Sequence, residues 1–366
     1  MQRSGVKRNL ALGRAEAKEL VRRRLEAQAL ASGRFARAAE AVAWFGALQA
    51  QDYLGALWAV GLRCNGVSEA DVERALAERE IVRSWPMRGT LHFLAAEDAR
   101  WMLELLAPRA LARAAPRLRK LGLDAPTLSR ARRALVAALE GGRALARPDA
   151  YRTLEAARVS ARGERGLHLL WHFAHEGLLC FGPRAGKQQT FVLLEEWVPN
   201  AKGRPREEAL GELARRYFTA HGPATLRDFA WWSGLTLAEA REAVGLAGSR
   251  LERESFGDEP HWFASRPPPA ATREAPRAHA LPAFDEFFVG YADRSAALAP
   301  GDLAHVTAFQ LLAPALLVDG RLLGTWQRKL ARGAVVFTTK PLAPLSSGQA
   351  SAVRRALVRY AGFIER

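Results

Sequence analysis

Residues 208–265 have the sequence EALGELARRYFTAHGPATLRDFAWWSGLTLAEAREAVGLAGSRLERESFGDEPHWFAS, and the first part of this segment predicts three consecutive helices. Apolar residues recur at helical spacing over Glu208–Ala220. Thr225 and Thr236 are each followed three residues later by an acidic residue, which is the pattern that begins a helix. Gly234 lies between these two starts and predicts the end of the first short helix.

The second part of the segment predicts a hairpin. Strands over Arg250–Glu254 and His261–Ala264 flank the turn Phe256–Glu259. Two short helices joined by a turn and followed by a two-stranded hairpin form a winged helix. In that arrangement the second helix can enter a major groove, and the hairpin can reach the backbone or the minor groove of DNA.

The same order of elements recurs twice upstream. Ser68 and Asp71 begin a predicted helix over Ala70–Glu80, and a hairpin follows within residues 81–94. Residues 149–194 contain two predicted helices and two strands around the turn 182–187. The chain is therefore predicted to be α+β, with three tandem winged-helix units.

The division that follows has four parts. We expect a first winged helix, which includes the candidate active-site motif, over residues 1–110 and a second over 111–205. A third winged helix is expected over 206–265, followed over 266–366 by a connector and a small C-terminal α/β, β-rich module. Prolines predict an extended connector over Arg266–Ala280. The elements predicted beyond it are strands at Phe284–Tyr291, Ala315–Val318 and Arg321–Trp326, a tight turn at Asp319-Gly320, and a closing helix at Ser347–Gly362.

The charge balance predicts a polyanionic partner. The chain has 54 Lys and Arg against 38 Asp and Glu, a net charge of +16, so nucleic acid is the expected ligand. Together with three winged helices, the charge favours double-stranded DNA. The scarcity of lysine, with seven in the chain, fits either phosphate recognition by arginine or the codon bias of a GC-rich genome. We expect no secretory signal, no membrane span and a cytoplasmic, nucleoid-associated monomer.

The positions of the two cysteines and the absence of common cofactor and catalytic motifs favour neither a metal site nor a cofactor. Cys64 and Cys180 are far apart and lie in no CxxC pattern. His168, His172 and His175 share a helical face, but core or DNA-facing histidines are favoured over a metal site. The sequence contains no Walker, GxGxxG, HExxH or GxSxG motif, which disfavours the chemistries that those motifs carry.

Two further groups of residues are candidates for chemistry. Gln49 and Gln51 lie in an apolar segment of helical character. In an unbroken helix they would point about 200° apart, so either one amide is idle or the helix breaks and both face a cleft. Asp285 and Glu286 lie among aromatic residues, as a base of raised pKa or as a structural carboxylate paired with an arginine such as Arg294.

Several short motifs, in the same order along the chain, resemble the AlkZ-like family of tandem winged-helix DNA glycosylases. They are Leu48-Gln49-Ala50-Gln51, Arg88-Gly89-Thr90-Leu91-His92-Phe93, Phe181-Gly182-Pro183-Arg184 with Lys187, Leu281-Pro282-Ala283-Phe284-Asp285-Glu286, Gly290-Tyr291-Ala292-Asp293-Arg294, and Val318-Asp319-Gly320-Arg321 through Gly324-Thr325-Trp326. The glutamine–aliphatic–glutamine motif is similar to one branch of the family, whereas the YcaQ-like branch carries an aspartate at its second position.

The resemblance implies a monofunctional DNA glycosylase without lyase activity. It would hydrolyse the N-glycosidic bond of cationic alkylated purines, such as N7-alkylguanine or bulky adducts, in duplex DNA and leave an abasic site. It implies a concave basic surface formed by the three winged helices, with Gln49 and Gln51 as catalytic residues. Two segments are candidates for a hairpin that contacts DNA, namely the wing turn with Arg184 and Lys187 and the loop after Asp293-Arg294.

The remaining site residues follow from the same motifs. Asp285 is expected to support the site, and a set of polar and basic residues is expected to contact DNA: Arg88, Thr90, His92, Arg184, Lys187 and Arg294. Because glutamine does not titrate, a catalytic site built on Gln49 and Gln51 suits a base that is already a good leaving group.

The alternative to a glycosylase is a noncatalytic DNA-binding or regulatory protein with the same basic surface.

Overall fold

The structure is a computed structural model. It describes residues 12–31, 33–265, 277–299, 306–307, 311–331 and 334–365. Within these residues, helices surround three sheets, and the sheets are antiparallel throughout. This architecture confirms the predicted α+β class.

The first unit follows the predicted order closely from residue 68 onward. Its elements are α1 (Arg14–Ala27), α2 (Ala38–Phe45), β1 (Ala47–Gln49), α3 (Tyr53–Gly61), α4 (Glu69–Ala77), β2 (Ile81–Met87) and β3 (Thr90–Ala95). Ser68 begins α4, since its hydroxyl accepts the amide of Asp71 at 3.2 Å. Between β2 and β3, Arg88 and Gly89 have φ values of +55° and +76°, which is the geometry of a two-residue hairpin turn.

The second unit begins within a helix that it shares with the first. Its elements are α5 (Ala99–Lys120), α6 (Ala125–Leu139), β4 (Leu145–Ala146), α7 (Arg147–Ala156), α8 (Arg165–His175), β5 (Leu179–Phe181), β6 (Thr190–Leu193) and α9 (Leu194–Trp197). A boundary at residue 110 falls in the middle of α5. The helix packs against β2 on one side and α8 on the other, so it belongs to both units.

The wings of the first two units form one sheet. Its strand order is β1-β3-β2-β5-β6-β4, and the two wings meet where Arg83 of β2 pairs with Phe181 of β5. The edges of both hairpins are thereby covered, which removes unpaired backbone groups from solvent. The two wings are therefore fixed to each other.

The third unit confirms the prediction from residues 208–265. It contains α10 (Arg206–His221), α11 (Leu226–Ser233), α12 (Leu237–Ala247), β7 (Leu251–Phe256) and β8 (Glu259–Ala264). The hydroxyls of Thr225 and Thr236 each accept the backbone amide three residues on, at 3.1 Å. Gly234 ends α11 with a φ of +78°, the left-handed conformation that suits glycine.

The C-terminal module contains more strands than predicted. Its elements are β9 (Ala278–Leu281), α13 (Glu286–Val289), β10 (Ala315–Val318), β11 (Arg321–Ala331), β12 (Ala334–Pro341) and α14 (Ser347–Glu365), with the sheet order β12-β11-β10-β9. The turn at Asp319-Gly320 and the closing helix are confirmed. Strand β9 begins inside the segment predicted as a connector, of which residues 266–276 lie outside the described part of the chain.

The predicted strand over Phe284–Tyr291 is wrong. Phe284 has a φ of +58°, which no strand residue adopts, and Asp285 then begins the short helix α13 by accepting the amide of Phe287 at 2.9 Å. The apolar run was long enough for a strand, but its local hydrogen bonds favour a turn of helix. This difference determines where the two carboxylates of the segment point.

The C-terminal module packs on the first unit. Trp58 of α3 contacts Tyr360 and Phe363 of α14, with ring centroids 5.1 Å apart in each pair. The indole of Trp58 also donates to the carbonyl of Ala280 at 2.6 Å. One core thus joins the start and the end of the described chain. In the described residues, no helix combines the length and apolar character needed to cross a membrane.

Candidate active site

The two glutamines lie where the predicted helical segment breaks. Helix α2 ends at Gly46, which has a φ of +74°, and α3 does not begin until Tyr53. Between them, Gln49 ends the short strand β1 and Gln51 lies in a bend. The two glutamines are therefore not held about 200° apart on an intact helix. Of the two geometries considered from the sequence, the structure has the broken helix.

The backbone between the glutamines is held on both sides. The amide of Ala50 donates to the carbonyl of Leu91 at 2.7 Å. The carbonyl of Ala50 accepts Nη2 and Nε of Arg83, at 2.8 and 3.2 Å. Burial lowers the pKa of Arg83 to about 10, which leaves the guanidinium charged at neutral pH. A charged donor on this carbonyl fixes the motif before any substrate arrives.

The side chains of Gln49 and Gln51 differ in their exposure and in their hydrogen-bond partners. The side chain of Gln51 is exposed, and its Oε1 accepts the amide of Leu91 at 3.2 Å. Gln49 is 9% exposed, and its backbone amide donates to Oε1 of Glu286 at 2.8 Å. The Oε1 atom of Gln49 is shielded from solvent and has no hydrogen-bond partner among the described residues. It is an acceptor held in place and uncommitted.

Glu286 contacts Gln49, although the sequence analysis named Asp285 and not Glu286 as the support of the site. Its other oxygen, Oε2, accepts Nε1 of Trp232 and Nε2 of His221, each at 3.1 Å. Glu286 is fully buried and comes from the C-terminal module, while its partners come from the first and third units. The apolar neighbours of Asp285 and Glu286 indicated burial for both, but no local signal distinguished the one that reaches Gln49.

Glu286 is an ionised acceptor in the structure. Burial alone would raise the pKa of Glu286, but the hydrogen bond and charge of His221 and the amide of Gln49 outweigh it and lower the pKa. The expectation of a carboxylate with a raised pKa is therefore wrong for this residue. It cannot act as an acid at neutral pH, and because no part of it is exposed it does not contact DNA as placed.

Asp285 has a structural role with a partner other than the predicted one. Its carboxylate forms two hydrogen bonds with Arg63, Nη2 to Oδ1 at 2.9 Å and Nη1 to Oδ2 at 3.0 Å. Arg294, the expected partner, instead donates Nε to the carbonyl of Phe288 at 2.6 Å. Asp285 thus supports the site by holding the start of α13, on which Glu286 lies.

His92 lies beneath the surface, next to Gln49. The two residues are directly opposite across β1 and β3, and Ser84 is opposite His92 across β2. His92 is fully buried, and burial lowers its pKa to about 3, so its ring is neutral. Its Nδ1 lies 3.0 Å from the carbonyl of Thr90, and its Nε2 has no partner among the described residues. As placed, it has no exposed surface with which to contact DNA.

The other predicted DNA contacts lie on two hairpins and one loop. Thr90 is half-buried, with its hydroxyl 3.5 Å from the carbonyl of Met87. Arg184 pairs with Glu73 at 2.6 Å, which ties the second wing to the first unit, while Lys187 at the tip is exposed. After Arg294 the chain forms one short turn of helix and no hairpin as far as residue 299.

The histidines of α8 are engaged locally. His168 and His175 each place Nδ1 2.9 Å from the carbonyl four residues earlier, and Nε2 of His172 lies 3.2 Å from Glu176. In the part of the chain that the structure describes, no group of three or more His, Cys, Asp or Glu side chains could hold a metal ion.

Comparisons with known proteins identify the family. The family model described as "DNA glycosylase AlkZ-like" matches residues 42–363. A protein from Streptomyces sahachiroi named "Interstrand DNA cross-link repair glycosylase" is 27% identical over 298 residues, which is 76% of this chain and 79% of that protein. The solved structure of S. sahachiroi DNA glycosylase AlkZ superposes with a TM-score of 0.77 at 24% identity, over 95% of this chain and 97% of that one.

The match to the family model spans both the Gln49–Gln51 motif and Glu286, and it extends into the C-terminal helix. The structural similarity extends over nearly the whole fold. The chain therefore belongs to the AlkZ-like DNA glycosylase family.

Proposed function

We propose that this protein hydrolyses the N-glycosidic bond of cationic, N7-alkylated purines in duplex DNA and leaves an abasic site. The observation that carries the proposal is the shielded, unpartnered Oε1 of Gln49, two residues along the chain from the exposed side chain of Gln51. A buried acceptor without a partner costs about 1–3 kcal/mol, so the fold retains it at the expense of stability. Such a cost is typical of functional sites.

In this proposal Oε1 of Gln49, which is shielded in the unbound protein, becomes accessible when DNA binds and holds the attacking water. A carbonyl oxygen can accept a hydrogen bond from the water and orient its lone pair toward C1′ of the sugar. As the water oxygen bonds to C1′, the glycosidic C1′–N9 bond breaks. Its electron pair passes to the purine and neutralises the cation, and the water loses a proton to solvent. The NH₂ group of Gln51 can donate to the sugar or to a phosphate.

The same chemistry restricts the substrate. Neither amide can take up a proton from the water or deliver one to a departing base. Glu286 is saturated with donors and buried, so it does not replace them. We therefore expect cationic lesions to be excised and neutral ones, such as uracil, to be left in place.

We further propose that the enzyme is monofunctional. A lyase step needs an amine that forms a Schiff base with the sugar. No lysine occurs between Lys18 and Lys120, the interval that contains the two glutamines and the strands around them. Because the S. sahachiroi relative is named for interstrand cross-link repair, bulky N7 adducts and cross-links are natural substrates to test.

The test is a base-release assay with duplexes that carry N7-methylguanine, a bulky N7-guanine adduct or an interstrand cross-link. We expect release by the wild type, and a loss of about 10²–10³-fold in rate for Gln49→Ala, because one preoriented hydrogen-bonding group is removed. Gln51→Ala should also be slow, and DNA affinity should be little changed for both.

Gln349→Ala is the matched control. This glutamine lies in the first turn of α14 and accepts the amide of Ser346 at 3.0 Å, far along the chain from the motif. The control should keep the wild-type rate. Tight DNA binding without release of any of the three lesions would favour the noncatalytic DNA-binding alternative.

A further inference from the structure

A cavity of about 260 Å³ lies where the first hairpin turn meets α5, α8 and the end of α11. Its walls carry the cations Arg88, Arg109 and Arg113 and the indole of Trp171, with Gly234 closing one side. None of the described residues that line it is acidic. The composition of the walls favours an anion.

Arg88 is the cation of this cavity whose guanidinium is shielded and unpartnered. Its Nε and Nη2 atoms are shielded from solvent and have no hydrogen-bond partner among the described residues. Burial lowers the pKa of Arg88, and the nearby charge of Glu286 offsets this only in part. Both oxygens of Glu286 already accept other donors.

The backbone conformation of Arg88 is also strained. Its φ of +55° is left-handed, at a turn position that asparagine or glycine adopts with little strain. Gly234 allows the side chain to pass, since an added Cβ there would lie 3.3 Å from Cγ of Arg88. The fold thus keeps a strained residue with a desolvated, unpaired charge at the edge of a cationic cavity.

Other cations surround it. Arg113 is exposed and makes no hydrogen bond or ion pair within the described residues, while Arg109 pairs with Glu239 at 3.3 Å. Burial lowers the pKa of Arg294, and the charge of Arg88 lowers it further, so these two guanidinium groups repel each other. An anion in the cavity would relieve this repulsion.

We propose that this cavity is the subsite for one phosphodiester of the DNA strand that carries the lesion, and that Arg88 is the residue that binds it. The inference rests on the proposed function. From Thr90, next to the turn, to His92, opposite Gln49, is about 7 Å along β3. The turn that carries Arg88 leads directly into the strand on which His92 lies opposite Gln49, so a phosphate held there would position the DNA on the hairpin beside the motif.

Arg88→Asn tests the subsite, because asparagine suits the left-handed turn and removes the buried charge. Binding to a duplex is measured by fluorescence anisotropy over a range of salt concentrations. The affinity should fall about 10-fold, as for the loss of one charge-assisted hydrogen bond. The slope of log Kd against log salt should decrease by about 1. The melting temperature should stay unchanged or rise by about 2 °C.

Two controls make the result specific. Arg354→Gln removes one exposed positive charge from α14, away from the cavity, and should leave the salt slope unchanged. Arg113→Gln, an exposed wall residue, should weaken binding in the same direction as Arg88→Asn without affecting the fold. A salt slope and affinity equal to wild type in Arg88→Asn would overturn the proposal, as would a fall in melting temperature without a change in slope.

Competition with inorganic phosphate distinguishes a site for a DNA phosphate from a site for a small free anion. At constant ionic strength, millimolar phosphate should not displace the duplex; displacement that depends on Arg88 would assign the site to small anions and overturn its assignment to DNA. If base release depends on Gln49 but Arg88→Asn binds DNA like the wild type, the phosphate subsite is contradicted and the proposed activity is not. If Arg88→Asn changes the salt slope but no lesion is released by the wild type, the proposed activity is contradicted and the subsite is not.

Discussion

Glu286→Ala is expected to lower the free energy of unfolding by about 3–5 kcal/mol and to abolish base release. The substitution leaves the amide of Gln49, the indole of Trp232 and the ring of His221 buried without their acceptor. It also removes a nearby negative charge that partly offsets the lowering of the pKa of Arg88 by burial. Urea denaturation gives the loss of stability, and the N7-methylguanine assay gives the loss of activity.

Glu286→Gln is the matched variant, since it keeps the shape of the side chain and one acceptor oxygen. It should retain the contact with the Gln49 amide and lose part of the contacts with His221 and Trp232, so its stability should lie between wild type and Glu286→Ala. An alanine variant within about 1 kcal/mol of the wild type would contradict the network.

The pH dependence of the same pair gives an independent check. The folded-state pKa of Glu286 is below its ordinary value of 4.5, so its charge stabilises the fold above pH 4.5. That contribution is lost as the pH falls through the folded-state pKa. The difference in unfolding free energy between wild type and Glu286→Gln should therefore be constant near neutral pH and decrease below about pH 4.5. A difference that grows on acidification would contradict this prediction.

Arg63→Ala should cost about 3–5 kcal/mol, because it leaves the Asp285 carboxylate buried without a counter-charge. Arg63 is fully buried, and besides Asp285 it donates to the carbonyl of Ala59 and to Oε1 of Gln28, each at 2.9 Å. The loss can be measured by urea or thermal unfolding. Since Asp285 holds the helix that carries Glu286, base release should fall as well.

A double-mutant cycle isolates the pair. Arg63→Met keeps the bulk of the side chain, and Asp285→Asn keeps an oxygen that can cap α13. The coupling energy between the two changes should be about 1–3 kcal/mol in favour of the native pair. Additive effects would show that packing, and not the ion pair, accounts for the loss.

The third winged helix could be predicted from sequence because its signals are local. Thr225, Thr236 and Gly234 begin and end helices through contacts within a few residues of themselves. The same holds for the hairpin turn at Asp319-Gly320. Local hydrogen-bonding patterns survive whatever the rest of the chain does, so they can be interpreted one segment at a time.

The contacts that build the site are not local. Arg63 and Asp285 are 222 residues apart in the chain, and Gln49 and Glu286 are 237 apart. No spacing rule links them, which is why the sequence suggests Arg294 in place of Arg63 as the partner of Asp285 and does not indicate that Glu286 contacts Gln49. The first two wings join into one sheet through a single pairing, Arg83 with Phe181. The sequence of neither strand alone predicts this pairing.

The position of Glu286 in the chain has a consequence for biosynthesis. Ribosomes deliver the amino-terminal part of a protein first. The two glutamines are made early, but the carboxylate that holds Gln49 and the helix α14 that packs on Trp58 are made late. A growing chain that has not reached α13 lacks the acceptor that orders Gln49. Base release is therefore expected only after most of the polypeptide has been synthesised.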